Sequence, residues 1–219
     1  MLDVFMDVAE RAVFDLDARI AGALRFAQAH GVAVGAGWHA GVALVREDPV
    51  VTEILLHYLR DRRALEQFDL GSEPHYEGSQ QRGDLLLTSK STAERHLIEV
   101  KWWWWNKDEA AVCRDAAKLR DARGESGDIA TGHLLIVTSG NEPADWRDEH
   151  RRPAPRPVLE WFEKNAIRGI WQESLGKPLV RVFPTNATLK KNAPSEEFVG
   201  ALILVPVADR VRVAKTPVV

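Results

Sequence analysis

Apolar residues recur with two different periods along the chain, and these periods predict helices alternating with strands. At helical spacing they predict one long helix over residues 3–29, and a second helix that Asp48 caps, that Pro49 opens and that runs to about Arg62. Two short apolar runs follow, at 85–87 and 97–101, joined by a short polar stretch. A connection of that length suits a hairpin, so we expect the two runs to form neighbouring antiparallel strands.

The remaining pattern extends this hairpin into a larger unit. A helix is expected after the second run, and a continuous apolar run after that helix is typical of a buried central strand. This order predicts a β-hairpin–helix–β unit. The other predicted elements are a strand beginning at 68, the helix 106–123, the strand 134–138, the helix 158–175 and late strands at 180–183 and 198–207.

Charged residues interrupt the two apolar runs of the hairpin. Asp84 directly precedes the first run, and Glu99 and Lys101 lie in the second, two residues apart and therefore on one face of the strand. Such residues are costly to bury without a partner or a metal. Carboxylate oxygens favour Mg²⁺, or Mn²⁺, over Zn²⁺. The three residues predict metal-dependent phosphodiester hydrolysis, in which Lys101 either positions water or stabilises the transition state. Ordinary surface residues beside two strands are the alternative.

This arrangement resembles a known family. Asp84 followed by Glu99-Val100-Lys101 is similar to the core motif of the PD-(D/E)xK, or restriction-endonuclease-like, superfamily, and the match covers mainly residues 47–139. The resemblance implies an α/β fold with a restriction-endonuclease-like core, in which helices flank a central mixed β-sheet. It also implies divalent-metal cleavage of nucleic acid, with Asp84, Glu99 and Val100 at the metal and Lys101 as a catalytic residue.

The resemblance also implies one further carboxylate. Members of the family often add a glutamate from a helix before the first core strand, and Glu53 occupies the corresponding place. We therefore expect Glu53 to be catalytic, and an ordinary solvent-exposed glutamate on this helix is the alternative. Glu73 and Glu77 are rival candidates because they lie just upstream of Asp84. Gly83 stands where the family usually has proline.

The helix predicted after the hairpin carries two charged residues near its middle, Asp115 and Lys118. Some nuclease-like families have polar residues on this helix that point back at the site, and these two residues could do so. A surface pair three residues apart explains them equally well.

Several residues are candidates for contacts with nucleic acid. Arg82 lies close to the predicted site, and Arg151 and Arg152 belong to a proline- and arginine-rich stretch, where they could bind phosphates or simply be solvated. Trp102–Trp105 is a run of four tryptophans, of which Trp103 is the candidate for stacking on a base. Core filling and a subunit interface are the alternatives for this run.

Composition narrows the setting. The net charge of −3 does not indicate nucleic-acid binding by bulk electrostatics, and the single cysteine excludes a disulfide framework. No signal peptide or membrane-length apolar stretch is evident, so we expect a cytoplasmic protein with no membrane partner. Residues 1–46 are expected to form a helical layer on a nuclease-like domain over 47–219, in one compact unit.

The function expected from these features is DNA cleavage by an endonuclease of the restriction or phage-defence type. A homodimer and other subunits of a defence system are possible partners. Two alternatives remain at this point. One is a catalytically silent nuclease-fold binding or interaction subunit, and the other is an RNA nuclease.

Overall fold

In the described part of the chain, six strands form one mixed sheet, and helices pack on both of its faces. The chain is therefore an α/β protein with an N-terminal helix. The computed structural model describes residues 1–31, 47–72, 82–103, 109–125, 129–140, 146–166, 177–185 and 198–207. The helices are α1 Leu2–Ala29, α2 Glu47–Tyr58, α3 Arg62–Gln67, α4 Glu109–Glu125 and α5 Pro155–Ala166. The strands are β1 Phe68–Ser72, β2 Leu85–Ser89, β3 Arg95–Trp102, β4 Ile129–Ser139, β5 Leu179–Thr185 and β6 Phe198–Val207.

The sheet has the order β1-β2-β3-β4-β6-β5, and β3 and β4 are its parallel pair. The other neighbours are antiparallel. Within the hairpin, Leu85 pairs with Ile98 and Thr88 pairs with Arg95, so the predicted antiparallel arrangement of β2 and β3 is confirmed. Helix α4 lies between β3 and β4 in the chain, as a connection between parallel strands requires.

The two faces of the sheet bury separate sets of apolar side chains. On one face, Ile98 and Val100 belong to a core that includes residues of α1, α2 and α3. On the other face, Leu97 and Trp103 belong to a core that includes residues of α4 and α5. Side chains alternate along β3, so Glu99 and Lys101 lie on the same face as Leu97 and Trp103, which is the face that α4 covers.

The helix before the sheet differs from its prediction at both ends. It was expected to run from about Asp48 to Arg62, but α2 spans Glu47–Tyr58 and a second helix, α3, follows. The break occurs because Asp61 caps α3, and its Oδ1 accepts a hydrogen bond of 2.9 Å from the Ala64 N–H. Glu47 therefore lies in the first turn of α2.

At the far edge of the sheet, Gly200 of β6 pairs with Phe183 of β5. The Phe183 ring covers the glycine so closely that a Cβ at position 200 would lie 2.4 Å from Phe183 Cε2. A ring can occupy this position only because glycine has no side chain.

Among the described residues, no helix is long and apolar enough to cross a lipid bilayer.

Candidate active site

Two carboxyl groups meet where β2 begins and β3 approaches its end. Asp84 directly precedes β2, and continuing the Leu85–Ile98 register by one residue places it opposite Glu99. The Val100 N–H donates a hydrogen bond of 2.6 Å to Asp84 Oδ2. Glu99 is buried on the face of the sheet that α4 covers. The hairpin register therefore brings together the two carboxyl groups that the sequence singled out.

The surroundings of this pair disfavour a second negative charge. Burial is the main cause that raises the pKa of Asp84, and the nearby Asp115 adds to the rise. The Val100 N–H, the Lys101 ammonium and a hydrogen bond with Glu99 act in the opposite direction but do not cancel it. Two neighbouring buried carboxylates repel each other, and a bound divalent cation would compensate their negative charge.

The donor atoms fit a hard cation. Asp84 and Glu99 offer carboxyl oxygens, and Val100 can offer only its main-chain oxygen. Among the described residues, there is no group of three or more His, Cys, Asp or Glu side chains that could hold a metal. A pair is sufficient for Mg²⁺, which commonly binds one or two carboxylates and completes its shell with water and substrate phosphate.

Lys101 is held between two carboxylates from different helices. Its Nζ lies 2.8 Å from Glu47 Oε2 at the start of α2 and 2.9 Å from Asp115 Oδ2 on α4, and its side chain is 13% exposed. Burial is the largest effect on the pKa of Lys101 and would lower it, but the hydrogen bonds to Glu47 and Asp115 together raise it above its ordinary value. The side chain is therefore an ammonium group, which can stabilise negative charge but cannot accept a proton.

Asp115 links Lys101 to a second lysine. Its Oδ1 lies 2.7 Å from Lys118 Nζ, while its Oδ2 binds Lys101, and the side chain is only 6% exposed. Asp115 and Lys118 were expected either to form a surface pair or to point back at the site, and each expectation holds in part. The residues form a pair three apart on α4, and Asp115 also points back at the end of β3.

Glu53 lies elsewhere. Its carboxylate pairs with Arg19 of α1, and His57 on the same helix contacts Asp15 of α1 at 3.2 Å. Glu53 follows Glu47 by six residues, or about 240° around the helix. The expectation that Glu53 supplies the additional site carboxylate is therefore corrected, because Glu47 is the α2 residue that contacts Lys101.

Sequence reasoning missed Glu47. An acidic residue in the first turn of a helix is common, because it interacts favourably with the helix dipole. No local signal distinguishes such a residue from one that reaches a site. The rival candidates Glu73 and Glu77 lie outside the described residues.

Trp103 is buried in the core below α5. Its ring lies 5.5 Å from the ring of Trp161 and 6.1 Å from that of Phe162, measured between centroids. The expected stacking of Trp103 on a base is therefore corrected in favour of the core-filling alternative. Trp102 packs, partly buried, against the opposite core. The other two tryptophans of the run lie outside the described residues.

The candidate arginines are exposed. Arg82 lies two residues before Asp84. Arg151 and Arg152 belong to a tight loop that Asp148 organises, because Asp148 Oδ1 accepts a bond of 2.9 Å from the Arg152 N–H and its Oδ2 lies 3.0 Å from Arg152 Nη2. Trp146 begins the loop and packs on Trp161 at 5.3 Å. The loop is thus anchored to the aromatic cluster that contains Trp103.

Comparison of the chain with protein-family models, with curated proteins and with solved structures finds no match.

Proposed function

We propose that this protein is a divalent-metal-dependent phosphodiester hydrolase that acts on DNA. One observation carries the proposal: the facing carboxyl groups of Asp84 and Glu99 lie at the same end of β3 as a lysine whose ammonium group two further carboxylates hold in place. The carboxylates can hold a metal ion and Lys101 offers an ammonium group, so the site suits a substrate with one oxygen that binds the metal and another that binds the ammonium group. A phosphodiester has that character.

Each residue has a defined role in this proposal. Asp84 and Glu99 would hold Mg²⁺ or Mn²⁺, with the main-chain oxygen of Val100 as a further ligand. The bound metal would polarise a phosphate oxygen and lower the pKa of a bound water. Lys101 stabilises negative charge on the phosphate as the transition state forms. Of the two roles considered for Lys101, charge stabilisation is the one that a persistent ammonium group can perform.

The order of elements supports a restriction-endonuclease-like core for the proposed enzyme. The site lies on an antiparallel hairpin, and α4 then leads to β4, which is parallel to β3. This is the β-hairpin–helix–β unit expected from the sequence. Cleavage within the strand, as in restriction or phage defence, is the part of the proposal that rests on the family resemblance alone.

The test is a cleavage assay with matched variants. Supercoiled plasmid, linear duplex and RNA are incubated with the protein in Mg²⁺, in Mn²⁺ or in EDTA. Loss of the Lys101 charge in Lys101→Met should lower the rate about 100-fold or more, and Asp84→Asn should abolish metal-dependent cleavage. Glu47→Gln and Glu53→Gln form a matched pair on one helix. The first should lower the rate and the second should not.

The outcomes separate the alternatives. Cleavage that persists in both Asp84→Asn and Lys101→Met would refute the assignment of the site. Binding of nucleic acid without cleavage in any metal would identify a silent binding module. Cleavage of RNA with intact DNA would identify an RNA nuclease.

A further inference from the structure

Two lysines share one buried carboxylate beside the candidate metal ligands. Each oxygen of Asp115 binds a different ammonium group, Lys101 from β3 on one side and Lys118 from α4 on the other. The two ammonium groups are therefore separated only by the width of a carboxylate and two hydrogen bonds. This places Lys118 next to the residue that is proposed to contact the reacting phosphate.

Lys118 is more than a partner that neutralises Asp115. Lys101 bonds one oxygen of the buried carboxylate but is shared with Glu47, so Lys118 supplies the second positive charge of this cluster. The side chain of Lys118 is 40% exposed, and an ammonium group has three donors, one of which Asp115 uses. Its position thus combines a fixed location with access to solvent.

The charges around the site lead to the same conclusion. Glu47, Asp84, Glu99 and Asp115 are acidic, whereas Lys101 and Lys118 are basic. With all six groups ionised, a single divalent cation balances the cluster. Without Lys118 the loaded site would remain negative, and it would repel the phosphate groups of a nucleic acid.

We propose that Lys118 is a second phosphate-binding residue, which contacts the substrate backbone beside the phosphate that Lys101 contacts. The proposal rests on the proposed function and assigns the substrate path to the side of the site that α4 forms. A contact of this kind adds affinity without reading the base sequence.

Binding measurements with Lys118→Gln test the assignment. A fluorescent DNA duplex is titrated in Ca²⁺, a hard cation that binds oxygen ligands, over a range of salt concentrations, and each sample is checked for uncut duplex. Loss of one phosphate contact should make the slope of log K against log salt shallower by about 0.9, so the affinity lost through the substitution should be about eightfold greater at 0.1 M salt than at 1 M salt. Lys118→Arg should retain most of the affinity.

Lys90 provides the matched control. Its side chain is 42% exposed and lies 3.1 Å from Asp69, but it belongs to the turn between β2 and β3, at the other end of the hairpin from Asp84. Lys90→Gln removes the same charge and should leave the slope unchanged.

In cleavage assays, Lys118→Gln should raise KM with little effect on kcat.

The possible results distinguish the two proposals. If the wild type cleaves and binds the duplex, and Lys118→Gln and Lys90→Gln behave alike, only the role of Lys118 is overturned. If the wild type neither cleaves nor binds the duplex, both the proposed function and the role of Lys118 are overturned.

Discussion

The two carboxylates that hold Lys101 should contribute very different amounts to stability. Asp115 and Lys101 are both largely buried, whereas the side chain of Glu47 is 38% exposed. The perturbation is a pair of double-mutant cycles, in which Lys101→Met is combined with Asp115→Asn in one cycle and with Glu47→Gln in the other. Each cycle isolates one ion pair from the rest of the network.

The expected magnitudes follow from burial. Hydrogen bonds to charged groups that are shielded from water contribute about 1.5–3 kcal/mol, and we expect the Lys101–Asp115 coupling to fall in that range. Exposed ion pairs contribute about 1 kcal/mol or less, and we expect this for Lys101–Glu47. Lys101→Met alone should cost about 2–3 kcal/mol, because a buried charge left wholly unpaired costs about 3–5 kcal/mol and Asp115 still has Lys118.

Urea unfolding, followed by tryptophan fluorescence and by far-UV circular dichroism, measures these energies. For a chain of this size, the cost of Lys101→Met corresponds to a fall in Tm of about 4–12 °C. Coincident transitions by the two probes justify a two-state treatment. A Lys101–Glu47 coupling equal to or larger than the Lys101–Asp115 coupling would refute the reasoning, because exposure would then not govern the strength of these contacts.

Two further predictions concern regions away from the site. Gly200→Ala should lower the free energy of unfolding by about 1–3 kcal/mol because the new methyl group collides with the Phe183 ring; Gly71→Ala, where a Cβ has open space, is the control, and equal effects would contradict the packing seen at β5. The hydrogen bond from the Arg152 main-chain N–H is the leading cause that holds the pKa of Asp148 below its ordinary value of 3.8, and the Arg152 side chain and then the His150 N–H lower it further. The order that Asp148 imposes on its loop should therefore be complete above that ordinary value and be lost only as the pH falls through the lowered pKa. Amide exchange at residues 150 and 152 should be slow at pH 6 in the wild type and fast in Asp148→Ala, and slow exchange in the variant would show that the loop does not depend on the carboxylate.

The elements of this fold could be predicted from the sequence because their signals are local. The helical period of residues 3–29 predicts α1, and the short polar connection between two apolar runs predicts the antiparallel β2–β3 hairpin. Strand periodicity places Glu99 and Lys101 on one face whatever packs against that face. These statements depend only on the geometry of a single strand or turn.

The residues around Lys101 depend on how separate elements pack. Glu47 and Glu53 belong to one helix, and the sequence cannot say which of them faces β3, because that is set by the contacts of α2 with α1. In the same way, tryptophan is a residue type that often stacks on bases, and only the position of α5 shows that the Trp103 ring is covered.

The sequence by itself therefore determined α1, the β2–β3 hairpin and the positions of Asp84 and Glu99 on it, since each follows from chain geometry over a short stretch. Only the tertiary structure decided that Glu47 and Asp115 hold Lys101 and that Lys118 lies beside it. The physical reason is that burial and ion pairing between helices depend on the packing of distant parts of the chain, which no local pattern records.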